Sequence, residues 1–255
     1  NCYAARMAYR LGHMPNKVGE KYRGTATLTP SGQPIFTGKI TLDRESLYLP
    51  QSWRLPRRIF VNSMSDVFHE DVPISYVQEI FAVMEACSHH TFQVLTKRPQ
   101  RAFELSHILP WPKNVWMGTS VEDNRVIERI DILRKIPAAI RFLSCEPLIG
   151  PLLDLRLENI QWVIVGGESG PGARPMEAPW VRSIQETCEI NRVPFFFKQW
   201  GGVNKKTAGR LLDGQLWDQC PVTAKCHEGH SGEGNGNAQQ SRTLRGLFDS
   251  NSCEA

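Results

Sequence analysis

The segment WVIVG at residues 162–166 is the most apolar short run of this sequence, and GESG at residues 167–170 follows it directly. A run of β-branched and aromatic residues without polar alternation is typical of a strand in a parallel sheet, which is buried on both faces. In parallel barrels, chemistry collects where strands end and the following loops begin. The segment therefore predicts a parallel sheet and a polar edge at its carboxyl end.

Five other short apolar runs share this character, and helical patterns separate most of them. The strands are predicted at 58–62, 92–96, 114–118, 140–144, 162–166 and 193–198. The helices are predicted at 74–89, 100–108, 123–136 and 179–191. Strands that alternate with helices predict an α/β fold with a parallel sheet. Because no glycine-rich nucleotide motif follows the first strand, a parallel (β/α) barrel or partial barrel is favoured over a doubly wound sheet.

The two ends of the chain lack the alternation of strands and helices that is predicted for its middle. Residues 3–12 predict a short helix that ends at Gly12, residues 13–34 predict a loop, and residues 36–42 predict a short strand. From residue 222 onward the sequence is polar and glycine-rich and has too few apolar residues to form a core. We therefore predict a barrel domain over 1–221 and a disordered tail over 222–255.

Composition limits the class of protein. A chain of 255 residues suffices for one large domain, and no apolar run reaches the roughly 20 residues of a membrane span. The net charge of +4 permits a nucleic-acid partner without arguing for one. The seven cysteines are scattered and odd in number, which suits a reducing compartment better than a disulfide framework. We expect a cytoplasmic protein without a membrane partner.

Charged residues follow all six predicted strands, and we name this set the rim. Its members are Asp66, Lys97, Glu122, Glu146, Glu168 and Lys198. Each has an ordinary structural interpretation, such as the capping of a helix or a solvated loop. Their recurrence after consecutive strands indicates instead a ring of opposed charges that suits a zwitterionic ligand. We therefore predict a binding or active site at the rim.

Glu146 and Glu168 follow neighbouring strands and are the catalytic candidates. Two carboxylates can divide acid and base roles when their surroundings separate their pKa values. They can equally hold an ammonium group or ribose hydroxyls. Gly166 and Gly167 would let bare backbone approach a ligand, or would serve a tight turn. Cys145 lacks a nearby histidine in the sequence and is interpreted as a buried structural thiol.

One stretch combines basic and aromatic residues. Residues 192–210 contain Lys198, Lys205, Lys206 and Arg210 together with Trp200. Such a patch can contact a phosphate backbone. A solvated surface segment is the simpler interpretation.

Several motifs together resemble a protein family found in phages and bacteria whose activity is not established. They are NCYA at 1–4, NSMSDVF at 62–68, LTKRP at 95–99, GTSVE at 118–122, LSCEPL at 143–148, GGESG at 166–170 and FKQWG at 197–201. The likeness spans residues 1–221 and leaves the tail outside. The resemblance implies that Cys2 ends a three-cysteine motif whose first two members precede Asn1.

Such motifs are similar to those of radical S-adenosylmethionine enzymes, in which three thiolates bind a [4Fe-4S] cluster. The resemblance therefore implies that Cys2 is a cluster ligand and that S-adenosylmethionine is the second cofactor. Cys2 alone cannot hold a cluster. For the cofactor's amino group we expect Ser63 and Asp66, because the Gly-Gly-Glu sequence comes late in this chain. The wider cofactor-binding set is Ser63, Asp66, Lys97, Glu122, Gly166, Gly167 and Lys198.

Three hypotheses follow for the function. The first is a cytoplasmic iron–sulfur radical enzyme, with a nucleic acid to modify or repair as one candidate substrate. The second is a metal-free barrel hydrolase or lyase that uses Glu146 and Glu168. The third is a phage-associated nucleic-acid-binding module that uses residues 192–210.

Overall fold

A computed structural model describes residues 3–203, 208–221 and the backbone of Phe248–Asp249. Cys2 and nearly all of the predicted tail over 222–255 lie outside these residues. The two described tail residues form a short strand.

The chain begins with small elements that precede the main sheet. Asn16 begins the second helix, since its side chain accepts a hydrogen bond from the backbone N–H of Gly19 at 3.0 Å. A turn at Thr29–Gln33 then joins two short antiparallel strands. The elements are α1 (Tyr3–Gly12), α2 (Lys17–Tyr22), β1 (Ala26–Leu28), β2 (Pro34–Phe36), α3 (Arg44–Leu47) and a 3₁₀ turn (Leu49–Ser52).

The remaining elements alternate between strand and helix as the sequence predicts. They are β3 (Arg58–Val61), α4 (Ile74–Ala86), β4 (Thr91–Thr96), α5 (Pro99–Leu105), β5 (Val115–Ser120), a 3₁₀ turn (Asn124–Val126), α6 (Arg129–Leu133), β6 (Ile140–Cys145), β7 (Trp162–Gly166), α7 (Ala178–Ile190), β8 (Phe195–Gln199) and β9 (Phe248–Asp249).

Strands β3 to β8 form six parallel strands in chain order, and the sheet curls into a half-barrel. The outer edge of β3 pairs with β9 in antiparallel register instead of with β8, so the sheet is open. The prediction of an α/β partial barrel is therefore confirmed, and the described residues do not form a closed barrel.

The convex face of the half-barrel carries the main core. Ile59, Val94 and Val163 from the strands pack there with Phe81 of α4 and Ile184 of α7. Helices on one face and a second group of buried side chains on the other explain why these strands have no polar alternation.

The concave face has an aromatic lower half, at the amino ends of the strands. Trp162 contacts Trp116, Phe142 and Phe196, with ring centroids 5.8 to 6.1 Å apart. The indole N–H of Trp162 donates to the carbonyl of Gln219 at 2.8 Å. The lower half is therefore filled, and space for a ligand is left at the carboxyl ends of the strands.

Three local predictions were wrong. Residues 13–34, predicted as a loop, contain α2 and β1, because a side-chain cap and hairpin pairing replace hydrophobic periodicity as the local stabilisers. The strand predicted at 36–42 is instead Pro34–Phe36. The helix predicted at 123–136 is divided into a 3₁₀ turn and the short α6, because the hydrogen bonds of Val126 and Ile130 span three residues instead of four.

Within the described part of the chain, no helix has both the length and the apolar character that crossing a membrane requires.

Candidate functional site

A cavity of about 1180 Å³ opens at the carboxyl ends of the parallel strands. Its lining includes eight of the nine residues proposed from the sequence as catalytic or cofactor-binding: Ser63, Asp66, Lys97, Glu122, Glu146, Gly167, Glu168 and Lys198. The rim is therefore brought together around one space. The ninth residue, Gly166, is not among the lining residues.

Asp66 organises the loops after β3 and β4. Its carboxylate accepts hydrogen bonds from Phe68 N (2.9 Å), Thr96 Oγ1 (2.7 Å), Lys97 N (3.1 Å) and Arg98 Nη1 (3.3 Å). A carboxylate offers about four lone-pair directions, and these partners occupy them. Asp66 therefore shapes the cavity wall in this structure, and its predicted contact with an amino group stays a prediction.

Glu122 lies between two cations. Lys97 Nζ forms an ion pair with Glu122 Oε1, and Arg129 Nη1 donates to Glu122 Oε2 at 3.1 Å. Arg129 also donates to the carbonyl of Ser120 at 3.0 Å, which fixes the guanidinium. Lys97 is half-exposed and Glu122 is mostly buried. Because Arg129 remains to neutralise Glu122, Lys97 is the cation that can turn to a ligand carboxylate.

Glu146 and Lys198 form a second ion pair across the cavity. Lys198 Nζ lies 3.1 Å from Glu146 Oε1, and Ser144 Oγ donates to Glu146 Oε2 at 3.3 Å. A Cβ on Gly166 would lie 2.6 Å from Glu146 Oε1. Glycine at this position therefore makes room for the Glu146 side chain. This packing explains the glycine without a bound ligand.

Gly167 has a similar structural reason. A Cβ there would lie 2.0 Å from the carbonyl oxygen of Trp200, a contact that real side chains do not make. The close approach joins the loop after β7 to the loop after β8. Gly167 therefore positions two parts of the rim, and a direct role in ligand binding stays a prediction.

Glu168 is buried and held by Arg174. Its carboxylate accepts from Arg174 Nε at 2.8 Å, from Nη2 at 3.0 Å and from the backbone N–H of Arg174 at 2.9 Å. The hydrogen-bonded guanidinium lowers the pKa of Glu168 below its ordinary value. A carboxylate kept ionised in a bidentate pair is a poor proton donor, so this geometry does not favour Glu168 as a general acid.

The amino-terminal helix reaches the same cavity. Tyr3 and Ala4 line it, and the Tyr3 hydroxyl donates to the carbonyl of Ser63. Cys2, the predicted cluster ligand, lies outside the described residues. The residue bonded to it therefore contacts the loop in which the cofactor's amino group was predicted to bind.

None of the described cysteines lines the cavity. Cys145 is fully buried, and burial raises the pKa of its thiol well above the ordinary value. The interpretation as a structural thiol is therefore supported. Cys188 is also buried, which raises the pKa of its thiol to about 12. In the described ranges no cluster of three His, Cys, Asp or Glu residues could hold a metal ion.

In the described part of the predicted basic patch at 192–210, Lys198 and Arg210 are each paired with a carboxylate. Lys198 points to Glu146, while Arg210 pairs with Asp218 and lies over the Phe196 ring at 5.3 Å. Lys205 and Lys206 lie outside the described residues. The described part of the patch therefore gives little support to the binding-module hypothesis.

Sequence reasoning missed the amino-terminal wall of the cavity. Lys21, Phe36, Lys39 and Asp43 line it, and Lys21 Nζ lies 2.8 Å from Asp43 Oδ1. No local pattern links residues 22 positions apart, as these two are. Arg174 was missed as well, because its loop has no periodicity.

The fold and the cavity define a partial α/β barrel protein with a cavity lined by charged residues at the carboxyl ends of its strands. Residues 1–221 match a family described as protein of unknown function (DUF5131), and the chain belongs to this family. No curated protein and no solved structure matches the chain. The predicted membership of an uncharacterised family is confirmed over the predicted residues. The three-cysteine motif and the likeness to radical enzymes stay predictions.

Proposed function

We propose that this protein is an iron–sulfur, S-adenosylmethionine-dependent radical enzyme whose reaction takes place in the cavity at the carboxyl ends of β3 to β8. The observation that carries the proposal is the position of Tyr3. The residue bonded to Cys2 lines the same cavity as the rim, so a cluster ligand and a zwitterion site would share one space.

The charges of the cavity suit S-adenosylmethionine. Glu122 forms ion pairs with both Lys97 and Arg129. Because Arg129 would still neutralise Glu122, Lys97 can bind the cofactor's carboxylate at little electrostatic cost. Glu146 lies opposite Lys198 and can receive an ammonium group. A volume of about 1180 Å³ exceeds what a small cofactor alone requires and leaves room for part of a substrate.

The described residues do not supply the ligands that a [4Fe-4S] cluster requires. Three thiolates are needed, and none of the described cysteines lines the cavity. A cluster would require Cys2 and two further thiolates from outside the described residues. We therefore assign no reaction step to it.

The chain's own contribution in this proposal is to bind, orient and exclude water, while the cofactors supply the radical chemistry. Lys97 and Glu146 orient the zwitterion, and the Glu168–Arg174 pair fixes the loop after β7. In this proposal the aromatic cluster beneath the cavity would limit the entry of water from the opposite end of the half-barrel.

The test is anaerobic iron–sulfur reconstitution of the full-length protein. We expect about four irons per chain and a charge-transfer absorption in the visible range. Both should be lost in Cys2→Ala. Cys220→Ala is the matched control, since Cys220 is partly exposed and does not line the cavity, and it should keep its iron. A folded wild-type protein without iron, or equal iron in Cys2→Ala, would refute the proposal.

A further inference from the structure

Positive charge is concentrated in residues 3–42, which we name the N-terminal segment. The whole chain has a net charge of only +4, so the rest of the protein is close to neutral. The segment contains one acidic residue, Glu20, and six basic ones: Arg6, Arg10, Lys17, Lys21, Arg23 and Lys39.

Most of this charge is exposed and not neutralised. Lys21 pairs with Asp43, and Lys17 lies 4.0 Å from Glu45. Among the residues that the structure describes, no carboxylate lies within ion-pair distance of the other four basic residues: Arg6, Arg10, Arg23 and Lys39. The rim differs, because each of its charges has a partner. The N-terminal segment is therefore the surface with the stronger attraction for a polyanion.

This surface leads into the large cavity. A second cavity of about 540 Å³ lies between α1 and the β1–β2 hairpin, and Arg23 lines it. Ala8 and Tyr22 line both cavities, so the two spaces adjoin. Lys39 lines the large cavity, and its Nζ donates to the carbonyl of Arg23 at 2.9 Å. Basic side chains therefore mark a path from the outer surface to the mouth of the large cavity.

An exposed aromatic ring stands at this mouth. Phe36 lines the large cavity and keeps 46% of its surface exposed, so its ring is accessible to a ligand at this position. Basic groups with aromatic rings between them are the combination that binds single-stranded nucleic acids, whose bases stack on the rings while phosphates contact the cations.

We propose that the N-terminal segment binds single-stranded nucleic acid and directs one unpaired base past Phe36 into the large cavity. A base within a duplex cannot reach reacting groups inside a cavity unless it leaves the stack, so an unpaired strand is the favoured form. Arg10, Arg23 and Lys39 contact phosphates. The inference rests on the proposed function only in treating the cavity as the reaction chamber.

The test is fluorescence anisotropy with labelled 12-nucleotide DNA and RNA strands, in air and without iron or S-adenosylmethionine. The triple variant Arg10→Gln, Arg23→Gln, Lys39→Gln should bind at least about tenfold more weakly at 100 mM salt. The slope of log affinity against log salt should fall by about 2, since each phosphate contact on a single strand contributes about 0.7. Phe36→Ser should weaken binding about tenfold without changing the slope, because it removes stacking and no charge.

The matched control is Arg54→Gln, Lys113→Gln, Arg156→Gln. These exposed residues precede β3, β5 and β7, at the end of the sheet opposite the cavity, and the charge change is the same. This variant should bind within about twofold of wild type. Circular dichroism of all variants checks that they are folded.

Four results would overturn the inference: no single-strand binding by the wild type, equal affinity for duplex, equal losses in both triple variants, or equal competition by polyglutamate. The last would indicate an acidic protein partner. Because the assay contains no cofactor, binding can persist when the iron test fails, and iron can bind when this test fails. The two proposals therefore fail separately.

Discussion

The two halves of the concave face are built on the same six strands and differ completely in chemistry. Successive side chains on the concave face are two residues apart along a strand. On β6 they change from Phe142 in the aromatic cluster to Ser144 in the cavity lining, and on β8 from Phe196 to Lys198. The lower half is a packed aromatic cluster, and the upper half is an open cavity with paired charges. One pleat is therefore enough to separate the part that stabilises the barrel from the part that can bind a ligand.

The comparison shows where stability and function are separated in this fold. Aromatic rings in the lower half gain free energy by leaving water, and the buried indole N–H of Trp162 has a hydrogen-bond partner in Gln219. Charges in the upper half gain little from burial, and each is retained only with a counter-charge. We therefore expect large stability effects from the lower half and small ones from the upper half.

The largest effect is expected for Trp162→Ala. Trp162 is almost fully buried, contacts three rings and donates a hydrogen bond to Gln219. Its truncation leaves a cavity and should lower the free energy of unfolding by about 3–5 kcal/mol, measured by urea denaturation. Glu146→Gln, in the upper half, should change the same quantity by less than about 1 kcal/mol. Equal effects of the two substitutions would contradict the division of the face.

An intermediate effect is expected for Gly118→Ala, at the boundary between the halves. Gly118 pairs with Phe142 on the neighbouring strand, and a Cβ would lie 2.4 Å from the Phe142 ring. The clash should cost about 1–3 kcal/mol in thermal or urea unfolding. In the background of Phe142→Leu the same substitution should cost clearly less, because the obstructing ring is gone. An unchanged cost would mean that the strain has another source.

A smaller effect than that of Gly118→Ala is expected for Arg174→Gln, and it depends on pH. Arg174 lowers the pKa of Glu168 in the folded state. The pair therefore stabilises the protein at pH values above 4.5, the ordinary pKa of a glutamate carboxyl. That contribution is lost as the pH falls through the folded-state pKa. The variant should be less stable by about 1 kcal/mol at pH 7, because Arg174 is half-exposed, and the difference should shrink below about pH 4.5.

The measurement is urea unfolding of wild type and variant at several pH values. Arg182→Gln removes an arginine from an exposed pair with Asp213 and serves as the control for a lost surface charge. A difference for Arg174→Gln that grows toward acid pH would contradict the assigned role of the pair.

Much of the sheet could be predicted from the sequence, because a strand buried on both faces is a continuous apolar run that can be recognised locally. All six parallel strands lie where their apolar runs predicted them, to within about two residues. The rim followed from the same pattern, since parallel strands bring their carboxyl ends to one edge. The short elements before Arg58 were missed because caps and hairpin pairing stabilise them instead of periodicity.

The sequence by itself determined the six parallel strands and the set of charged residues at their carboxyl ends, because hydrophobic burial is encoded locally, and the tertiary structure decided that the barrel stays open. Only the tertiary structure decided which charges pair. It joined Glu168 to Arg174, assigned Gly166 and Gly167 to close packing, and brought the basic N-terminal segment to the cavity mouth. Ion pairs and close approaches join residues from separate loops, so their energies depend on distances in space that no local pattern contains.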